Sequence, residues 1–345
     1  MRRTWQQRQM IYRLAAGLGS MASMPGAAHA QADYTGRTVE IVVGFSAGGG
    51  YDAYARAVGQ HLGTHIPGQP KVIVRNMPGA GSLVLLNHLY SAAPKNGLFL
   101  GAFDPTLITA PLLGVASANF DASKFGWVGS ASATTNVCVT WATSAVKSWD
   151  DMFRAGPPHP FGTTGPSDSR HQSTATLKNL FGANLQIIGG YTGSSEIRVA
   201  MERGEIAGNC GDSWSSMKST AADLLRDKKV LIVAQFALQP NTELPGVVSV
   251  LEKARTPLEK AALTLLVAPQ SAGRPLAVPP GTPPEALAAL RRAYDATMTD
   301  PDYLATIGKM KLDAEPATGA RIEAIIAELY KTPKDAVAAA AAAIK

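Results

Sequence analysis

Cysteine, histidine and charge are all scarce in this chain of 345 residues. Two cysteines cannot staple a small disulfide scaffold, and the six histidines form no Cys/His cluster with zinc spacing, so no metal site is expected. Charged residues make up 17% of the chain, yet no run after residue 30 reaches the roughly eighteen consecutive apolar residues of a membrane-spanning helix. The first thirty residues lack acid altogether. They carry Arg2, Arg3, Arg8 and Arg13, so the formal charge of +6 falls to +2 without them, 28 basic residues against 26 acidic. That small excess argues against a nucleic-acid partner. Residues 1–30 instead read as a signal peptide. The arginines precede a mildly apolar stretch from Leu14 to Met24, and Ala28-His29-Ala30 supplies a small-residue cleavage site. Export leaves Cys138 and Cys210 either paired as a disulfide or buried as two thiols.

The length suggests about two domains. Strands are expected at Val39–Gly44, Lys71–Arg75 and Leu98–Phe103, with helices from Gly48–Gly50 to His61 and from Ala80 to Ala92. The pattern restarts with strands at Asn136–Trp141, Phe161–Thr164, Leu185–Gly189, Glu205–Cys210 and Val230–Phe236. Helices between them begin at Trp149, Ser167, Ser194 and Ser213. Gln239–Gly246 breaks the alternation, Leu263–Ala268 reads as one more strand, and helix signals then dominate, beginning with a Thr282 cap before Pro283. Apolar strands alternating with helices imply right-handed crossovers and parallel pairing.

Two glycine-rich loops stand where a strand hands over to a helix, Phe45–Gly50 and Asn76–Ser82. In a parallel sheet both leave the carboxyl edge, where glycines bare backbone N–H groups to an anion at a helix N-terminus. Neither loop contains lysine or arginine. The first also matches the G-x-S-x-G nucleophile elbow around Ser46, but it follows the first strand, and no histidine occurs after His171 to act as a late base. The glycine spacing does not fit a dinucleotide fingerprint, and no P-loop lysine is present.

The runs G-F-S-A-G-G-G-x-D at Gly44–Asp52, N-x-P-G-A-G-S at Asn76–Ser82 and A-A-P-K-N-G at Ala92–Gly97 resemble the solute receptors of tripartite tricarboxylate transporters, the Bug-type periplasmic binding proteins. The resemblance implies an α/β, two-lobed type II periplasmic binding protein fold, each lobe a mostly parallel sheet flanked by helices. Lobe 1 is expected at 34–130 plus 251–345 and lobe 2 at 131–250. It further implies a periplasmic receptor, monomeric and not an enzyme, without cofactor or catalytic residues. Such a receptor captures a di- or tricarboxylate or related acid for membrane permease subunits. A secreted hydrolase using Ser46 and a sensor component of a signalling system are the alternatives.

By this resemblance the ligand-binding residues are Phe45, Ser46, Ala47, Gly48, Gly49 and Gly50 from the first loop, and Asn76, Pro78, Gly79, Ala80, Gly81 and Ser82 from the second. Thr163, Thr164, Ser167, Tyr191 and Asp212 come from lobe 2. Two positions depart from the family pattern. Thr192 replaces a frequent basic residue, and Gly211-Asp212-Ser213-Trp214 replaces an Asp-Asn pair. Asp52 is expected to cap backbone N–H groups, Phe45 to line the pocket or the core, and Trp214 to stack on a ligand or pack in the cleft wall. Arg170 and His171, at a helix start, are expected in solvent.

Overall fold

The first strand is apolar on both faces, and the layers follow from that. In Thr38–Val43 (β1), Val39, Ile41 and Val43 enter one core while Val42 enters another on the opposite face. The computed structural model describes residues 32–166 and 168–345, so the expected signal peptide and Ser167 lie outside the described residues. β1 pairs in parallel with Lys71–Asn76 (β2) on one side and Phe99–Ala102 (β3) on the other. Gly50–His65 (α1) and Leu83–Ser91 (α2) make the crossovers. Gly126–Ser130 (β4) belongs to the same sheet, and the chain then passes into a second one.

That second sheet has five strands: Asn136–Trp141 (β5), His159–Gly162 (β6), Leu185–Ile188 (β7), Gly208–Ser213 (β8) and Val230–Phe236 (β9), in the order β7-β6-β8-β5-β9. Ser169–Phe181 (α3), Ser194–Glu202 (α4), Trp214–Thr220 (α5) and Ala222–Arg226 (α6) connect them. The chain returns through Pro257–Val267 (α7) to Pro275–Val278 (β10). Pro284–Thr299 (α8), Pro301–Lys309 (α9), the short Ala317–Thr318 (β11), Gly319–Leu329 (α10) and Lys334–Ala343 (α11) complete it. The first sheet therefore runs β11-β4-β10-β3-β1-β2.

Both sheets are mixed rather than mostly parallel. β10 lies antiparallel to β3 and β4, and β5 lies antiparallel to β8 and β9. The expectation of parallel pairing came from β1 to β3 and overlooked β4 and β10. GWVGS and PLAV are short and rich in glycine or proline, which weakens a strand signal.

Leu263–Ala268 is not a strand. Thr256 caps α7 by accepting the Glu259 amide at 3.1 Å, Pro257 opens its first turn, and the apolar run continues on two sides of the helix. Leu263 and Val267 join the core of the five-stranded sheet, whereas Ala262, Leu265 and Leu266 join that of the six-stranded sheet. Smaller corrections have local causes. The helix from Trp149 is a single 3-10 turn, Asp150–Phe153, and the helix from Ser213 breaks at Ala221. The strand at Glu205–Cys210 is displaced to Gly208–Ser213. Pro283 rather than Thr282 precedes the first turn of α8, and no side chain caps it.

Cys138 and Cys210 face each other on β5 and β8 and are joined as a disulfide. The open alternative is thereby resolved in favour of the bond.

Candidate functional site

Parallel pairing of β1 with β2 sends both glycine-rich loops off the same sheet edge. They then press together, since a Cβ on Gly44 would lie 2.1 Å from the Ser82 Cβ. Asp52 pins the first loop, accepting the Gly48 amide at 3.0 Å and the Asn76 side-chain amide at 2.9 Å. Burial would raise the Asp52 carboxyl, but the Arg56 ion pair and these bonds hold it below its ordinary value. Asn76 also donates to the Phe45 carbonyl at 2.8 Å and so ties the two loops together. Phe45 is buried and stacks on Tyr51 with ring centroids 4.7 Å apart.

The second loop runs through four consecutive residues of positive φ, Gly79, Ala80, Gly81 and Ser82. Alanine and serine rarely adopt that region, and such strain collects at ligand clamps. Ser82 is fully buried. Its hydroxyl donates to the Gly81 carbonyl at 2.6 Å and accepts the Asp104 amide at 3.0 Å, so it shapes the loop from within.

The five-stranded half supplies the facing wall. A cleft of about 440 Å³ is lined by Pro78, Gly79 and Ala80 on one side, and by Thr163, Thr164, Gly165, His171 and Tyr191 on the other. Thr163 is 1% exposed, and its hydroxyl has no hydrogen-bond partner among the described residues. Thr164 donates to Asp168, which caps α3 by accepting the His171 amide at 2.9 Å. The halves touch directly beside this cleft. The Ser46 amide donates to the Thr192 carbonyl at 3.1 Å, and Ser169 donates through its hydroxyl (2.7 Å) and its amide (3.2 Å) to Asp104. Gly49 stands 3.9 Å, measured from a built Cβ, from the Ser194 hydroxyl. Ala47 and Gly48 are exposed, while Gly49 and Gly50 are buried.

Arg170 overturns its expected placement in solvent. It is 4% exposed, ion-paired with Asp212, bonded to Ser194 at 2.5 Å, and 3.7 Å from Asp168. Its guanidinium lies 6.0 Å from the centre of the Phe45 ring. Burial would raise the Asp212 carboxyl, but Arg170 and Arg198 hold it below the ordinary value. Asp168 shifts the other way. Burial, with Arg170 opposing and Asp104 reinforcing, pushes it up to about 6. His171 is half-buried at the cleft, and burial lowers its imidazole. Trp214 donates through its indole to Glu243 at 2.5 Å.

Asp104, Arg170 and Arg274 are therefore site-side residues that the sequence reading missed or misplaced. The first turns of α3 are polar yet almost wholly buried, a burial that the sequence pattern around Arg170 does not signal. Arg274 sits 4.2 Å over the Tyr51 ring and donates to Ser216 at 2.7 Å, a position set by β10, which the sequence reading had not found.

A family model described as the receptor of the tripartite tricarboxylate transporter family matches residues 55–339. A curated protein of Cupriavidus necator, the UPF0065 protein in gbd 5'region, is 24% identical over 340 residues, covering 96% of each chain. Among solved structures, the periplasmic binding protein BugD aligns with a TM-score of 0.70 at 19% identity, covering 88% of this chain and 96% of its own. MatC from Rhodopseudomonas palustris, solved with malate, gives 0.69 at 17%, covering 87% and 98%. R. palustris Rpa4515 with adipate gives 0.67 at 20%, covering 88% and 98%. At these identities the solved structures establish a common fold.

Proposed function

The chain belongs to the tripartite tricarboxylate transporter receptor family, and from that premise we propose that it captures a small organic carboxylate in the periplasm and delivers it to membrane permease subunits. The carrying observation is the pair of glycine-rich loops on one sheet edge, the second of which faces Thr163, Thr164 and Tyr191 across the cleft. With no lysine or arginine in either loop, the carboxylate is held by backbone N–H groups and helix dipoles. Residues 34–130 plus 251–345 form one lobe and 131–250 the other, and the ligand closes them. Residues 1–30 direct export, and the mature receptor acts as a monomer. The malate and adipate of MatC and Rpa4515 support a carboxylate as the ligand class.

Binding without turnover fits Ser46, whose buried hydroxyl has no hydrogen-bond partner among the described residues and hence no base in reach. A thermal-shift panel of organic acids tests the reading, because a tight ligand of the native state raises the melting temperature. At least one carboxylate is expected to raise it by several degrees. A flat response across aliphatic, aromatic and amino acids would refute the proposal.

A further inference from the structure

None of the residues lining the 440 Å³ cleft is aspartate, glutamate, lysine or arginine, and His171 is the only base among them. Its backbone is fixed in the first turn of α3, where its amide donates to Asp168 at 2.9 Å. Its ring is fixed from behind. His171 and Asn179 lie on one face of α3, and both hold residues 343–345. Asn179 donates to the Ala343 and Lys345 carbonyls at 3.1 and 2.7 Å, and the His171 ring hydrogen-bonds the Ile344 carbonyl between them. A carbonyl can only accept, so the ring nitrogen on Ile344 carries a proton. Burial lowers the imidazole below its ordinary value, which leaves the ring neutral near neutral pH and its other nitrogen unprotonated. That second nitrogen has no partner among the described residues. Thr163 adds a hydroxyl to the same cleft, on a side chain that is 1% exposed and likewise without a partner among the described residues.

Resting on the receptor reading above, we infer that this protein selects hydroxy acids, and that His171 is the residue that reads the hydroxyl. With the carboxylate on the amides of the second loop, the far end of the ligand faces His171 and Thr163 across the cleft. The His171 nitrogen accepts, and the Thr163 hydroxyl has a proton to donate. The group that answers both must therefore donate one hydrogen bond and accept another. A hydroxyl does so. An ammonium only donates, a carboxylate only accepts, and a methyl group does neither and strands both protein groups.

Titration calorimetry on matched pairs tests this: γ-hydroxybutanoate with butanoate, ω-hydroxyhexanoate with hexanoate, and para-hydroxybenzoate with benzoate. In the pair that binds most tightly, the hydroxy acid is expected to bind at least about tenfold tighter than its partner. In His171→Leu that ratio is expected to fall to about one. A purely structural role for His171 would weaken both acids alike and keep the ratio, which would overturn its assignment. If the variant fails to fold, nitrogen-15 spectra of the wild-type imidazoles decide the matter. The unprotonated His171 nitrogen is expected to shift with the hydroxy acid and not with its partner, and equal spectra would overturn the assignment. A smaller preference in the wild type would overturn the selectivity and leave the receptor reading standing. Absence of binding by every acid in the set would overturn both.

Discussion

Gly165 offers a clean test of whether the closed contact between the halves is the binding arrangement. A Cβ there would lie 2.2 Å from the Ala80 carbonyl carbon and 2.5 Å from the Gly81 amide nitrogen, both backbone atoms of the facing loop. Its φ lies outside the left-handed region, so alanine strains nothing within its own segment. Gly79 lacks that advantage, with φ at +148° and Val84 2.7 Å from the built atom. To reach the 3.4 Å of ordinary contact, Gly165→Ala must separate the facing loops by about 1.2 Å. The Ser169–Asp104 bonds, 2.7 and 3.2 Å long, then stretch beyond hydrogen-bonding range. Each bond to an ionised acceptor contributes about 1.5–3 kcal/mol, so losing both weakens closure by at least about 3 kcal/mol. Calorimetry with the best acid should show affinity reduced by about a hundredfold or more. Small-angle scattering should show no compaction on adding ligand, and the ligand-free melting temperature should stay near the wild type. Wild-type affinity in Gly165→Ala would refute the reasoning.

Two further outcomes follow from groups inside the five-stranded half. Cys138 and Cys210 close a loop of 72 residues, so Cys138→Ser with Cys210→Ser should lower stability by about 2–5 kcal/mol, read by denaturant unfolding. An unchanged midpoint would show that the bond adds nothing to the fold. Asp168 titrates near 6 when folded, above its ordinary 3.8, so the folded chain holds the proton longer than the unfolded one. Its contribution to stability is greatest below pH 4, declines as the pH rises from about 4 to 6, and is flat above that. Asp168→Asn keeps a cap for α3 and should remove that decline from a plot of melting temperature against pH. Parallel curves for the two proteins would contradict it.

Much of the fold was legible because β1, β2, β3 and β9 are apolar runs with glycine, proline or charge at their ends, and β5 is an apolar run between threonines. The strands overlooked, β4 and β10, are four or five residues long and owe their place to neighbours distant in sequence. Long-range pairing leaves no local periodicity to read. The loops of the site carried their own signal in glycine. Arg170 did not, because a charged residue at a helix start is usually solvated. Its burial depends on Asp212, 42 residues away on β8, whose carboxylate makes a dry position tolerable. The internal bonds of Ser82 were hidden for a similar reason. Its sequence position suits a ligand contact, but its left-handed backbone turns the hydroxyl onto the Gly81 carbonyl and the Asp104 amide.

The divided allegiance of α7 limits how this chain can be recombined. Leu263 and Val267 complete one core, and Ala262, Leu265 and Leu266 complete the other. A fragment carrying either sheet alone would bare one of these apolar faces to water or lack the helix that seals it. The halves are therefore not interchangeable modules. A chimera that borrows its five-stranded sheet from a homologue must inherit both faces of α7 from compatible parents, or accept a cavity on one side and a clash on the other.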